Sequence, residues 1–150
     1  MKKVNLKIKK LAHYQGPLPA YQSTLASGFD VRAQIAESIT LKPGDKTMIS
    51  TGLSFEIPEG FEIQSRPRSG LAAKNGITVL NTPGTIDADY RGEVKIILIN
   101  LGQAEFTIHN QDRIAQLILA PVVQAEFELV ENLSETERGS GGFGSTGVSK

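Results

Sequence analysis

Val4, Leu6 and Ile8 alternate with polar residues, which is the two-residue period of a half-buried strand rather than of a helix. The same rhythm marks residues 47–57, 61–66, 94–101 and 125–130 as strand segments. Turn signals separate these runs: Lys42-Pro43-Gly44-Asp45, Pro58-Glu59-Gly60, Thr82-Pro83-Gly84 and Leu101-Gly102. Short strands at this spacing predict an all-β domain of antiparallel strands, a sandwich or a barrel. One short helix is expected near Ser69, where the serine can cap and Leu71-Ala72-Ala73-Lys74 favours helix until Asn75-Gly76 stops it. No internal repeat and no second globular domain stands out.

Composition narrows the chemistry. The 150 residues suffice for one hydrophobic core, and the absence of cysteine removes disulfides, thiolate nucleophiles and Cys-ligated zinc. Sixteen Lys and Arg balance sixteen Asp and Glu, so the chain lacks the positive field expected of a nonspecific nucleic-acid binder. A polyanionic ligand would need locally placed cations. Lysines interrupt the apolar residues of the N-terminus, so no signal peptide is expected, and residues 94–101 and 114–123 fall short of the ~18 apolar residues of a membrane span. The chain reads as soluble and cytoplasmic, with no membrane partner.

The C-terminal stretch differs in kind. Residues 126–137 hold five acids and no base, and residues 139–147 hold five glycines beside Ser140, Phe143, Ser145 and Thr146. Alone, such a segment reads as a disordered tail. Its Arg138, hydroxyls and backbone amides are also phosphate ligands, and Phe143 offers a flat face to a base. The spelling Gly139-x-Gly141-x-x-Gly144 matches a dinucleotide fingerprint, but only six residues follow and no helix fits there.

Four other places carry dense polar chemistry. Ser65-Arg66-Pro67-Arg68-Ser69-Gly70-Leu71-Ala72 comes where a strand yields to the expected helix, so Arg68, Ser69 and Gly70 read either as an anion site or as a cap with surface arginines. Asn81-Thr82-Pro83-Gly84-Thr85-Ile86-Asp87-Ala88-Asp89-Tyr90-Arg91-Gly92-Glu93 sets two turns, several carboxylates and an aromatic between apolar strands, and a carboxylate there can act as general base toward water. Ser27-Gly28-Phe29-Asp30-Val31-Arg32-Ala33 is the third. In Asp112-Arg113-Ile114-Ala115-Gln116-Leu117 a polar Gln116 interrupts an apolar run and needs a partner, protein or ligand. His13 and His109 have no neighbouring His or Cys, so neither a zinc site nor a His-based triad is expected.

In order and over nearly the whole chain, these five segments resemble the five motifs of the trimeric deoxyuridine triphosphatase (dUTPase) family. Ser27 before Gly28 and Gln111 before Asp112 depart from the residues usual there, Ala and Gly. The resemblance implies a distorted jelly-roll (β-clip) domain over residues 1–133 and a flexible Gly-rich arm over residues 134–150 that closes on an active site of a homotrimer. It implies Mg2+-dependent hydrolysis of dUTP to dUMP and pyrophosphate, limiting uracil in DNA and supplying dUMP for dTMP synthesis. Carried across, Asp87 activates the attacking water and Asp30 holds water ligands of Mg2+. Arg68, Ser69, Gly70 and Gln116 contact the phosphates, while Asn81, Gly84, Thr85 and Ile86 read uracil. Tyr90 underlies the deoxyribose, and Arg138, Phe143, Gly144, Ser145 and Thr146 close from another subunit.

Two rivals are weighed against this reading. The dCTP deaminases resemble the same motifs but place a catalytic glutamate five residues after the glycine matching Gly92, where this chain has Ile97. A jelly-roll module that binds nucleotide without turnover would be marked by loss of Asp87, Arg68 or the tail, and all are present.

Overall fold

The computed structural model describes residues 3–142. Among them the elements run β1 (Lys7–Lys10), β2 (Phe29–Arg32), β3 (Ile39–Leu41), β4 (Lys46–Ser50), β5 (Leu53–Glu56), β6 (Phe61–Arg66), α1 (Ser69–Asn75), β7 (Ile77–Val79), β8 (Gly84–Ile86), β9 (Lys95–Asn100), β10 (Phe106–Ile108) and β11 (Arg113–Pro121). Every pairing is antiparallel. The strands form a four-stranded sheet in the order β2-β11-β6-β8, a three-stranded sheet β4-β9-β7 and two separate pairs, β1-β5 and β3-β10. This is the expected all-β architecture with one short helix.

Alternation along the strands builds a single core. Phe29 and Val31, Ile63 and Leu117 enter it from the first sheet, Ile49, Ile96, Leu98, Ile77 and Val79 from the second. Burying a side chain of this size stabilises the fold by about 1.5–3 kcal/mol. The outward positions between them are therefore free to carry chemistry.

Three local expectations need correction. The run 47–57 is not one strand: Gly52, at φ 66°, turns the chain between β4 and β5. Ser69 does not cap α1 but is its first residue; Arg68 occupies the cap position in extended conformation and makes no side-chain cap bond. The helix ends as expected, with Gly76 left-handed at φ 69°. Residues 125–130 form no strand despite their alternation. Val123, Phe127, Leu129 and Leu133 are 86–100% exposed, so among the described residues this segment pairs with no strand and packs on no core.

Candidate active site

Asp30 lies on β2 between buried Phe29 and Val31, and Gln116 on β11 between buried Ala115 and Leu117, so both side chains face away from the core. They are cross-strand partners, and Gln116 in turn pairs with Arg66 on β6. Register thus brings the first, second and fourth motifs into one row. A bulge between Arg113 and Ala115 sends Ile114 and Ala115 both inward, which leaves Arg113 facing outward like Gln116.

The row is organised by charge. Asp30 Oδ2 lies 3.2 Å from Arg68 Nε and 3.4 Å from Arg113 Nη1, and Arg68 Nη1 donates to the Arg113 carbonyl at 3.1 Å. Gln116 has a protein partner: its Nε2 donates to the Pro67 carbonyl at 2.9 Å, fixing the bend that delivers Arg68. Its Oε1 sits 2.8 Å from where a Gly28 Cβ would be, which accounts for glycine there. Ser69 and Gly70 are exposed, and the first helical bond runs from Ala72 N to the Arg68 carbonyl. The preceding amides have no intrahelical partner. Arg32, Arg68, Arg113, Asp112 and Leu71 line a cleft of about 300 Å³ here.

A second cluster runs along β8 and into the loop beyond it. Gly84 stands opposite Ser65. A Cβ on Gly84 would strike Ser65 Oγ and lie 2.9 Å from Asn81 Nδ2, so the hairpin closes only around glycine. Beyond Ile86 the chain folds on itself: Tyr90 N donates to the Asp87 carbonyl at 3.1 Å, and Tyr90 Oη to the Glu93 carbonyl at 3.0 Å. The Tyr90 ring fills the space a side chain at Gly92 would need. Thr85, Ile86, Asp87 and Tyr90 thereby line a groove of about 550 Å³ with Glu93 and Lys95.

Gly84 is one residue along from the first row, but Asp87 is far from it. Ile86 pairs with Ile63, three residues from Arg66, so Asp87 lies about 13 Å along the strands from the Asp30 row and three strands across, on the order of 20 Å in all. Within one chain, therefore, Asp87 does not meet the Asp30 row. Arg138 joins neither: its Nε donates to the Gly141 carbonyl at 2.8 Å. Phe143, Gly144, Ser145 and Thr146 lie outside the described residues.

Comparison with known proteins agrees with the five-motif pattern. The family model of dUTPase matches residues 14–147. The chain belongs to the dUTPase family. It is 70% identical over 147 residues to the deoxyuridine 5'-triphosphate nucleotidohydrolase of Bdellovibrio bacteriovorus, covering 98% of this chain and 99% of that one. The namesake of Nautilia profundicola is 59% identical, over 96% of this chain and 99% of its own. Among solved structures, the dUTPase of Staphylococcus bacteriophage 80alpha with dUPNHPP superposes with a TM-score of 0.83 at 30% identity, covering 97% of this chain and all of that one. The jelly-roll fold expected of the dUTPase family is thus the fold observed.

Sequence reasoning did not find every polar group in these clusters. Arg113 emerges from the bulge, which no two-residue period predicts. Glu93 and His13, 80 positions apart, are brought together at 3.1 Å by the packing of a loop over Gly52. His109 bonds Ser38 Oγ through Nδ1 at 2.9 Å. No group of three His, Cys, Asp or Glu suited to a metal occurs among the described residues.

Proposed function

We propose that this chain hydrolyses dUTP to dUMP and pyrophosphate at sites shared between copies of itself. The observation that carries this reading is the separation of the half-sites. The Asp87–Tyr90 groove has the parts for a nucleoside and an attacking water, the Arg68 row has the parts for phosphates, and a complete site needs one from each of two chains. The exposed apolar residues of the segment 122–133 support assembly, because such a surface is covered in a stable protein. We take the trimer as the closed form, with residues 1–133 as its domain and 134–150 as an arm reaching a neighbour's site.

In this mechanism the Gly84 hairpin presents main-chain donors and acceptors to uracil, and Asn81 adds a side-chain amide. An amine in place of the uracil carbonyl would leave a buried donor unpaired, which penalises cytosine. Tyr90, fixed through the Glu93 carbonyl, occupies the space of a 2′-hydroxyl. Asp87 orients a water toward the α-phosphate and takes its proton. Arg68 and the first amides of α1 stabilise charge as pyrophosphate departs, with Gln116 holding the Pro67 bend. Arg138, Phe143, Gly144, Ser145 and Thr146 exclude solvent.

The residues suit Mg2+ in one way. Asp30 is a single carboxylate with two guanidiniums on one oxygen, which fits an ion that keeps its waters and is carried mainly by the phosphates. Bound there, Mg2+ would neutralise phosphate charge. A pyrophosphate-release assay over dUTP, dCTP, dTTP and UTP, with and without Mg2+ and beside a measurement of solution mass, tests this reading. Release confined to dUTP and Mg2+, from a trimer, is expected; ammonia from dCTP or activity from a monomer overturns it.

A further inference from the structure

His13 and Glu93 form a latch beneath the groove. Glu93 Oε1 accepts three bonds, from Ser50 Oγ at 2.5 Å, Gly52 N at 2.8 Å and His13 Nε2 at 3.1 Å. A carboxylate offers only acceptors, so His13 must carry its proton on Nε2. The histidine is delivered by a tight turn in which Tyr14 N donates to the Leu11 carbonyl and Leu11 N to the Gly52 carbonyl. Gly52 is needed twice. Its φ of 66° suits glycine, and a Cβ there would lie 3.1 Å from Tyr14 Cδ2 and 3.2 Å from Gln34 Cγ.

Glu93 ends the loop that holds Asp87 and Tyr90. The Tyr90 hydroxyl hangs on the Glu93 carbonyl, while the next residue, Val94, is clamped by Leu53 O and Thr51 Oγ1. The loop's own bonds, Tyr90 N to Asp87 O and Arg91 Nη1 to Ala88 O, are internal. Its exit therefore fixes where the tyrosine ring lies. Ser50 and Gly52 would hold the carboxylate from below in any case, and Lys95 Nζ stands 3.9 Å from its other oxygen; His13, 48% exposed on a separate segment, adds a hydrogen bond to Oε1 from outside the β4–β5 bend.

We propose that His13 is a positioning residue for the nucleoside half-site, acting through Glu93 to set Tyr90 against the sugar. This rests on the reading of the Asp87–Tyr90 groove given above. It implies that residue 13, remote in sequence from every motif, contributes to choosing deoxyribose over ribose.

The test uses the full chain as wild type, His13→Ala and His13→Gln, the glutamine restoring an N–H donor. Hydrogen–deuterium exchange is followed in the segment 87–94, and steady-state kinetics are followed on dUTP and UTP. In His13→Ala, exchange in that segment should quicken about tenfold and the dUTP:UTP preference should fall about tenfold, largely through KM. The global unfolding midpoint should stay near wild type, and His13→Gln should recover most of both. Unchanged exchange overturns the latch. Faster exchange with unchanged preference reduces it to a structural contact and overturns the positioning role. Should wild type leave dUTP intact, the functional reading falls separately, and unchanged binding preference between dUTP and UTP in His13→Ala then overturns the proposal.

Discussion

Arg113 and Arg68 share one oxygen of Asp30, approaching Oδ2 at 3.4 and 3.2 Å. A guanidinium engaged on a phosphate must loosen its hold on the carboxylate, and the second arginine keeps the carboxylate in place while the first does so. Arg113→Gln should leave Arg68 captive to Asp30 and raise KM for dUTP severalfold. The pair is partly exposed, so stability should change by only about 0–1 kcal/mol. Steady-state kinetics beside a thermal melt check both halves of this expectation.

Gly84→Ala places a methyl group against Ser65 Oγ and Asn81 Nδ2, neither of which is the free end of a long side chain. The hairpin must shift. Overpacking of this kind costs about 1–3 kcal/mol. Affinity for dUTP should fall by at least tenfold with kcat less affected; unaltered affinity would remove the hairpin from base recognition.

Glu93 gives the fold a pH dependence. Burial pushes its carboxyl up, but the Ser50 hydroxyl, the Gly52 amide and His13 together outweigh burial and hold it below the ordinary value of 4.5. A carboxylate depressed in the folded state contributes stability that is complete above its unfolded value and is lost as pH falls through its folded value. The melting temperature should therefore decline from about pH 5 downward, and Glu93→Gln should flatten part of that decline while lowering the melting temperature at neutral pH.

How far these features could be read beforehand depended on their range. Local period and turn residues gave 61–66 as a strand, and β6 has those bounds. Alternation in 125–130 ordinarily means a strand with one buried face, but among the described residues nothing covers it, and Phe127 and Leu129 are exposed. Gln111 stands where the family commonly has glycine, and it adopts the left-handed φ of 69°. Its Nε2 bonds Gln34 Oε1 at 3.1 Å and its carbonyl accepts from Arg32, so long-range contacts offset a local strain that no nearby residue betrays. Arg113 was hidden for the opposite reason: one extra residue in a ladder reverses the face that a strict alternation assigns.

Asp87→Asn should suppress pyrophosphate release by about 10² to 10⁴ while leaving dUTP binding within about tenfold, because the amide keeps the shape and loses the basicity. Pyrophosphate release and calorimetric binding measure the two separately.

The distance between Asp87 and the Asp30–Arg68 row also bears on inheritance. On the proposed reading, two chains, one lacking the carboxylate of Asp87 and one lacking the guanidinium of Arg68, should each be inert, yet between them they hold a full set of parts. Unfolded together and refolded at equal ratio, they should assemble mixed trimers in which one junction of the three unites an intact groove with an intact cation row, returning about a quarter of wild-type activity. Two damaging alleles at such a locus would rescue one another, and a single damaged allele would spoil its partner's product less than completely.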